Sequence, residues 1–104
     1  MKFPLSAYQK LLNTFLPKEF SEIESIEVKK PSIFEWIMDA VVIVHLKDYE
    51  SGGNIDSCYS FGKKVSPRIV ELIKYFGEGY YPDILVYRGG KKVCSSNDFS
   101  IGKK

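Results

Sequence analysis

The sequence predicts an α+β fold: a mostly antiparallel sheet of four to five strands with two helices packed on one face, in the order α-β-β-β-α-β-β. A dense run of β-branched residues at positions 39–47 predicts a central strand. Two glycine pairs, Gly52–Gly53 and Gly89–Gly90, predict hairpin turns. Hairpins favour an antiparallel sheet, because a parallel sheet needs regularly alternating helices and strands.

The first predicted element is a helix over residues 4–16, whose apolar side chains recur at spacings of three and four. This stripe consists of Leu5, Tyr8, Leu11, Leu12, Phe15 and Leu16. Pro4 suits the first helical position, where a missing N–H costs nothing, and Pro17 predicts that the helix ends near Phe15. We expect the stripe to face the core, with a partner-binding face as the alternative.

Alternating apolar and charged residues predict the first strand over Ile23–Lys29. The charges are typical of an exposed edge strand, where they block aggregation between sheets. The acidic members of this edge are Glu19, Glu22, Glu24 and Glu27. In the central strand, apolar residues occur at both parities, which predicts that the strand is covered on both faces.

Residues 55–61 admit two interpretations. Alternate residues would share one face of a strand that returns against the central strand, and serine, cysteine, tyrosine and phenylalanine are mediocre helix formers. We therefore predict a strand here. The alternative is a short helix capped by Asn54, because Ile55, Cys58 and Tyr59 also fit a helical stripe.

The second helix is predicted from Ser66 as its N-cap, Pro67 as its first residue and Gly77 as its C-terminal stop. Its buried face consists of Ile69, Leu72, Ile73 and Phe76. Two strands over residues 83–88 and Lys91–Ser95 then form a hairpin across the second glycine pair.

A chain of 104 residues predicts a single domain over residues 1–104, with residues 97–104 as a loose tail. The sequence contains no stretch of about 18 apolar residues and no long apolar region near its start. We therefore expect no membrane association and a cytoplasmic location. Short length with abundant lysine and tyrosine is typical of small accessory proteins of bacteria, phages and mobile elements.

Two cysteines, Cys58 and Cys94, are present. Because disulfides are rare in the cytosol, we expect two reduced, partly buried thiols, with a bridge as the alternative if the fold brings them together.

The single histidine, His45, lies inside the predicted central strand. The hairpin register predicts that His45 opposes Tyr59, which places Cys58 on the other face of the sheet. A catalytic pair of His45 and Cys58, with the cysteine as nucleophile, is therefore the weakest functional hypothesis. We expect a partly buried imidazole bonded to a neighbour. One histidine and two separated cysteines do not form a tetrahedral metal site, and phosphate-binding and nucleophile motifs are missing. We therefore predict a protein that is not an enzyme and that holds no metal or cofactor.

An apolar connector at residues 33–38 contains Phe34 and Trp36. These rings either cap the core or form an exposed aromatic patch that anchors a partner. The second interpretation leads to the first functional hypothesis, a small protein-binding or self-associating accessory module in which Phe34 and Trp36 bind the partner.

The charge distribution leads to a second hypothesis, a nucleic-acid-binding accessory protein. Residues 1–60 hold six lysines against nine acidic residues (−3), and residues 61–104 hold nine basic against four acidic residues (+5), which together give +2. Tyrosines interleave with the basic residues, and proteins use this mixture of rings and cations to bind single-stranded nucleic acids. The candidate contacts are Lys63, Lys64, Arg68, Lys74, Arg88, Lys91 and Lys92. The pI of about 8.5 is below that of strongly basic nucleic-acid-binding domains.

Overall fold

The computed structural model describes residues 4–31, 40–48, 58–77, 80 and 82–96. These residues form two α-helices and four strands in the order α-β-β-α-β-β, which confirms the α+β class with one strand fewer than predicted in the chain order. The elements are α1 (Leu5–Glu19), β1 (Ile23–Lys29), β2 (Ala40–Leu46), α2 (Cys58–Ile73), β3 (Pro82–Arg88) and β4 (Lys91–Ser95). A short 3-10 helix, Lys74–Phe76, follows α2 directly.

The four strands lie side by side in the order β1-β2-β3-β4. β1 pairs antiparallel with β2, and β3 pairs antiparallel with β4, whereas β2 and β3 are parallel. In the middle of the sheet, Val44 lies between Ile26 of β1 and Val86 of β3. A parallel pair needs a crossover connection, and α2 lies in the segment that joins β2 to β3. The sheet is mostly antiparallel, as predicted.

Both helices pack against one face of the sheet and share one hydrophobic core. Strand side chains alternate between the two faces, and every second residue of β2 belongs to this core. Its members include Tyr8, Leu12, Leu16, Ile26, Val28, Val42, Val44, Phe61, Val65, Ile69, Leu72, Ile84, Val86 and Cys94. The hydroxyl of Tyr8 donates to the carbonyl of Ile69 at 3.0 Å, so this polar group is satisfied inside the core.

The central strand is buried at both parities. Val42 and Val44 face the helices, and their neighbours Val41 and Ile43 are only 7% and 8% exposed. The burial of both sets agrees with the prediction made from the apolar residues of this strand.

The strand predicted over residues 55–61 is wrong where the structure describes it, because residues 58–61 form the first turn of α2. Ser66 and Pro67, predicted to start the helix, lie inside it. Buried residues at helical spacing run through the whole element: Phe61, Val65, Ile69, Leu72 and Ile73. Burial of this continuous stripe outweighs the modest helix propensities of the first residues.

The end of α1 also differs from the prediction. α1 continues to Glu19, about one turn beyond the end inferred from Pro17. A proline inside a helix removes one N–H donor. The last turn is nevertheless closed, because the N–H of Phe20 donates to the carbonyl of Leu16 at 2.8 Å.

The turn between β3 and β4 confirms the predicted hairpin. Gly89 and Gly90 have φ angles of 62° and 82°. A type I′ turn requires positive φ at both central positions, which glycine adopts without a steric penalty.

Some predictions concern residues outside the described ranges. They are the partner-binding rings Phe34 and Trp36, the turn at Gly52–Gly53 and the tail over residues 97–104. These stay predictions.

Candidate functional site

The outer edge of β1 is occupied by two amide side chains of α1. Nδ2 of Asn13 donates to the carbonyl of Ile26 at 2.7 Å, and Oδ1 of Asn13 accepts from the N–H of the same residue at 2.8 Å. Oε1 of Gln9 accepts from the N–H of Val28 at 2.8 Å. These bonds replace those that a neighbouring strand would make, so α1 closes this edge of the sheet.

The opposite edge of the sheet is formed by β4, and no strand among the described residues pairs with its outer side. Lys91 and Lys92 are exposed, and Val93 is 44% exposed. Val86 pairs with Cys94, and the next pair along β4 involves Lys92, so Val93 is the extra residue of a β-bulge. Among the described residues, this edge therefore combines an outer side without a paired strand with positive charge.

The inner side of β4 is anchored to β3 just beyond its last residue. The N–H of Ser96 donates to the carbonyl of Ile84 at 2.7 Å, and the hydroxyl of Ser96 donates to the carboxylate of Asp83. The same carboxylate accepts from the N–H of Ile84 at 3.0 Å. These bonds fix one end of β4.

The second anchor of β4 is a disulfide between Cys58 and Cys94, which corrects the expectation of two reduced thiols. The fold brings the first residue of α2 next to β4, although the two cysteines are 36 residues apart in sequence. Their Cα atoms are 6.2 Å apart, within the range that a disulfide spans. In this bridged state Cys58 has no thiolate to act as a nucleophile.

Two of the predicted basic residues, Lys63 and Lys64, are exposed in the first half of α2. Nζ of Lys63 lies 5.2 Å from the ring centroid of Tyr59, which is 57% exposed. Lys63 lies only about 7.5 Å along the helix from Cys58, so the disulfide holds this basic end of α2 beside β4.

Arg68, another predicted basic contact, is engaged within the fold. Its Nε and Nη2 both donate to Glu19 at 2.8 Å, and Nη1 donates to Glu71 at 3.2 Å. Its guanidinium also lies 5.8 Å from the ring centroid of Phe15. The hydrogen bonds from Arg68 lower the pKa of Glu19. Glu19, predicted on the edge of β1, instead ends α1 and ties it to α2.

The remaining basic candidates lie apart from this end of α2 or are engaged with the backbone. Nε of Arg88 donates to the carbonyl of Lys47 at 3.0 Å. Lys74 lies about 16 Å along the helix axis from Lys63. It lines a shallow depression of about 360 Å³ with Ser66, Pro67, Val70 and Glu71. Of the basic candidates, Lys63 and Lys64 thus lie on the element that is bridged to β4, and Lys91 and Lys92 lie on β4 itself.

His45 lies on the sheet face away from the helices and pairs in register with Tyr87, not with Tyr59 as predicted. Its Nε2 is 3.2 Å from Oε1 of Glu27, and Nζ of Lys29 is 3.6 Å from the other oxygen of this carboxylate. The hydrogen bond with His45 lowers the pKa of Glu27. His45 is therefore a half-buried imidazole bonded to a neighbour, as expected.

Gln9 and Asn13 are structural contacts that the sequence reasoning missed. Both amides are four residues apart on α1, adjacent to the buried residues Tyr8 and Leu12. The one signal in the sequence is that two amides, which can both donate and accept, lie at i and i+4 on the same side of the helix as the apolar stripe.

Within the described part of the chain, no three His, Cys, Asp or Glu side chains come together in a way that could hold a metal ion. No helix in that part is long and apolar enough to cross a membrane. Comparison with protein-family models, with curated proteins and with solved structures found no match.

Proposed function

We propose that this protein is a small, non-enzymatic accessory module that binds a partner protein along the edge of β4. The supporting observation is the difference between the two edges of the sheet. Gln9 and Asn13 close the β1 edge, whereas β4 carries exposed lysines and no described strand on its outer side. Proteins cover or charge their sheet edges to prevent indiscriminate pairing, so an accessible but charged edge favours a selected partner.

Addition of a partner strand accounts for both affinity and selectivity. An extended segment beside β4 would form main-chain hydrogen bonds, and its side chains would provide the selectivity. Lys91 and Lys92 on the strand, with Lys63 and Lys64 on the bridged end of α2, favour an acidic segment and repel a basic one. The partner in this proposal is an extended, acidic protein segment.

A fluorescein-labelled octapeptide of alternating valine and glutamate tests strand addition by fluorescence anisotropy. We expect the peptide to bind, and the variant K91E/K92E to bind it about tenfold more weakly. K10E/K18E is the matched control, because these exposed lysines lie on α1 and their reversal changes the net charge equally. Equal weakening in both variants would assign the binding to net charge, and no binding to the wild type would contradict strand addition.

Self-association is the second form of the same proposal, with β4 of another copy as the added strand. Val93→Pro tests it, because proline removes a backbone donor and is tolerated at a bulge. If the protein sediments as a dimer in analytical ultracentrifugation, we expect Val93→Pro to convert it to a monomer with unchanged circular dichroism. A dimer that survives this substitution would place the interface elsewhere.

Nucleic-acid binding is the second candidate function, and the exposed ring of Tyr59 beside Lys63 favours it. Aromatic rings that stack on bases, flanked by cations that contact phosphates, bind single strands. Titration with a labelled oligothymidine at low salt would show tight, salt-sensitive binding that Tyr59→Ala weakens by at least about fivefold. No binding at low salt would remove this candidate.

A cytoplasmic location is part of the proposal, and the disulfide makes it testable. Disulfides are rare in the cytosol unless they are transient or redox-sensing. Alkylation of thiols during lysis of expressing cells reports whether Cys58 and Cys94 are reduced inside the cell. A fully bridged pool in cell fractions other than the cytosol would contradict this location.

A further inference from the structure

We propose that Cys58 and Cys94 form a reversible thiol–disulfide exchange site that reacts with small thiols of the glutathione class and controls the β4 edge. They are the two cysteines of the chain, and the fold holds their Cα atoms 6.2 Å apart. The effect on partner binding rests on the proposed function of β4, whereas the exchange chemistry does not.

The two sulfurs differ in access. Cys94 is 4% exposed and belongs to the core, whereas Cys58 is half-buried at the rim of the core. Because Cys58 is the more exposed residue of the pair, we infer that an external thiolate attacks Cys58 rather than Cys94. Cys58 is the attacked sulfur during reduction and the attacking thiolate during oxidation.

The exchange balances with two small thiols. The first thiolate attacks the sulfur of Cys58, the bond between Cys58 and Cys94 breaks, and its electron pair leaves on Cys94, which takes a proton. The second thiolate attacks the small-molecule sulfur of this mixed disulfide and releases Cys58 as a thiolate. The protein disulfide gains two electrons, and the two thiols become one small-molecule disulfide. Oxidation by that disulfide runs through the same steps in reverse.

The bridge acts on β4 because Cys94 is adjacent to the bulged residue of an edge strand. β4 has five residues, and its pairing with β3 is interrupted at Val93. In the oxidised form, the disulfide to α2 and the bonds of Ser96 hold the part of β4 that follows this irregularity. Reduction removes the covalent hold, while the β3 pairing and the Ser96 bonds remain. We infer that the oxidised protein presents a preorganised edge and that the reduced protein presents a frayed one.

Incubation of the full chain in glutathione buffers of graded ratio, followed by acid quench, alkylation and intact-mass measurement, tests the exchange. We expect the protein to change from no alkylated thiols to two alkylated thiols within the range of glutathione ratios used. We also expect a glutathione adduct to accumulate on the Cys94→Ser variant but not on the Cys58→Ser variant. A disulfide that stays closed at every ratio, or an adduct on neither variant, would overturn the proposal. So would loss of the far-UV circular dichroism together with reduction, because the bridge would then be a structural staple.

Hydrogen exchange and peptide binding test the effect on β4. We expect amides of β4 to exchange at least about tenfold faster in the reduced protein, with α1 unchanged, and the valine–glutamate octapeptide to bind the oxidised form about tenfold more tightly. Equal binding to both forms would refute the control of β4 and leave the proposed function intact. Faster exchange in β4 without peptide binding to either form would leave the exchange site intact and refute the proposed function.

Discussion

Replacement of Asn13 tests most directly whether α1 closes the β1 edge. Asn13→Ala removes both hydrogen bonds to the backbone of Ile26, each of which contributes about 1 kcal/mol. No penalty is added here for leaving the N–H and carbonyl of Ile26 without a partner, so the sum is a minimum. Alanine is a better helix former than asparagine by about 0.6 kcal/mol. We therefore expect the free energy of unfolding to fall by about 1.5 kcal/mol.

Urea denaturation measures this loss, and a thermal scan should show a decrease in Tm of about 7 °C for a chain of 104 residues. Thr14→Ala is the matched control. Its hydroxyl is exposed and donates to the carbonyl of Lys10 at 2.8 Å within the same helix, away from the sheet. We expect this control to remain within about 0.5 kcal/mol of the wild type.

The same variant also has a consequence for association, because it exposes a strand edge that α1 otherwise occupies. Light scattering at increasing concentration should show more self-association of Asn13→Ala than of Thr14→Ala. If the two variants unfold at the same urea concentration and scatter equally, the reasoning that α1 closes this edge is refuted.

Three further predictions concern the anchors of the fold. Tyr8→Phe removes a buried hydrogen bond and should lower the free energy of unfolding by about 1 kcal/mol at pH 7. Burial raises the folded-state pKa of Tyr8, so the unfolded chain loses the phenol proton first as pH rises past about 10. The wild type therefore loses stability at high pH, whereas Tyr8→Phe has no such proton to lose. Urea midpoints should show that the difference in stability between the two proteins becomes smaller as pH rises. Glu19→Gln should lower Tm at pH 7, because Arg68 depresses the folded-state pKa of Glu19. The stabilisation by the Glu19 carboxylate is present above its unfolded-state pKa and is lost as pH falls. A Tm difference between wild type and variant that persists in acid would contradict this. Reduction of the bridge between Cys58 and Cys94 should lower the free energy of unfolding by roughly 4 kcal/mol, because the bridge spans 36 residues and restricts the unfolded chain. Urea denaturation with and without reductant measures this loss. A loss below about 1 kcal/mol would count against the prediction.

The parts of the fold that the sequence predicted well depend on local chemistry. β1 has the bounds inferred from residue alternation, and β4 has those inferred from the hairpin at Gly89–Gly90, whose glycines have the positive φ angles that this turn requires. In these segments, neighbouring residues alone decide the conformation. The apolar run of β2 likewise predicted burial at both parities, because its residues are apolar whichever way they point.

The parts that could not be predicted depend on residues far apart in the chain. The parallel pairing of β2 with β3 and the approach of Cys58 to Cys94 follow from how α2 packs across the sheet, and no local pattern encodes that. The candidate edge depends on the same information. Lys91 and Lys92 were recognised as basic, but their position on an edge strand follows only from the strand order.

Pro67 is the position where local and tertiary preferences conflict most clearly. The sequence predicts it as the first residue of a helix, a favourable place for proline, whereas the structure places it in the interior of α2. An interior proline costs about 3 kcal/mol relative to alanine, and its loss frees the unfolded chain by up to about 1 kcal/mol. Because Pro67 is exposed, alanine leaves no cavity. We therefore expect Pro67→Ala to raise the free energy of unfolding by about 2 kcal/mol.

The sign of the Pro67→Ala effect in urea denaturation distinguishes the two descriptions of α2. Lys64→Ala is the control, because Lys64 is also exposed on this helix, and it should change stability by no more than about 0.5 kcal/mol. If Pro67→Ala destabilises the protein while the control does not, a helix starts at Pro67, and the turn that carries Cys58 is a separate element. The disulfide would then hold that element, and not the start of α2, against β4.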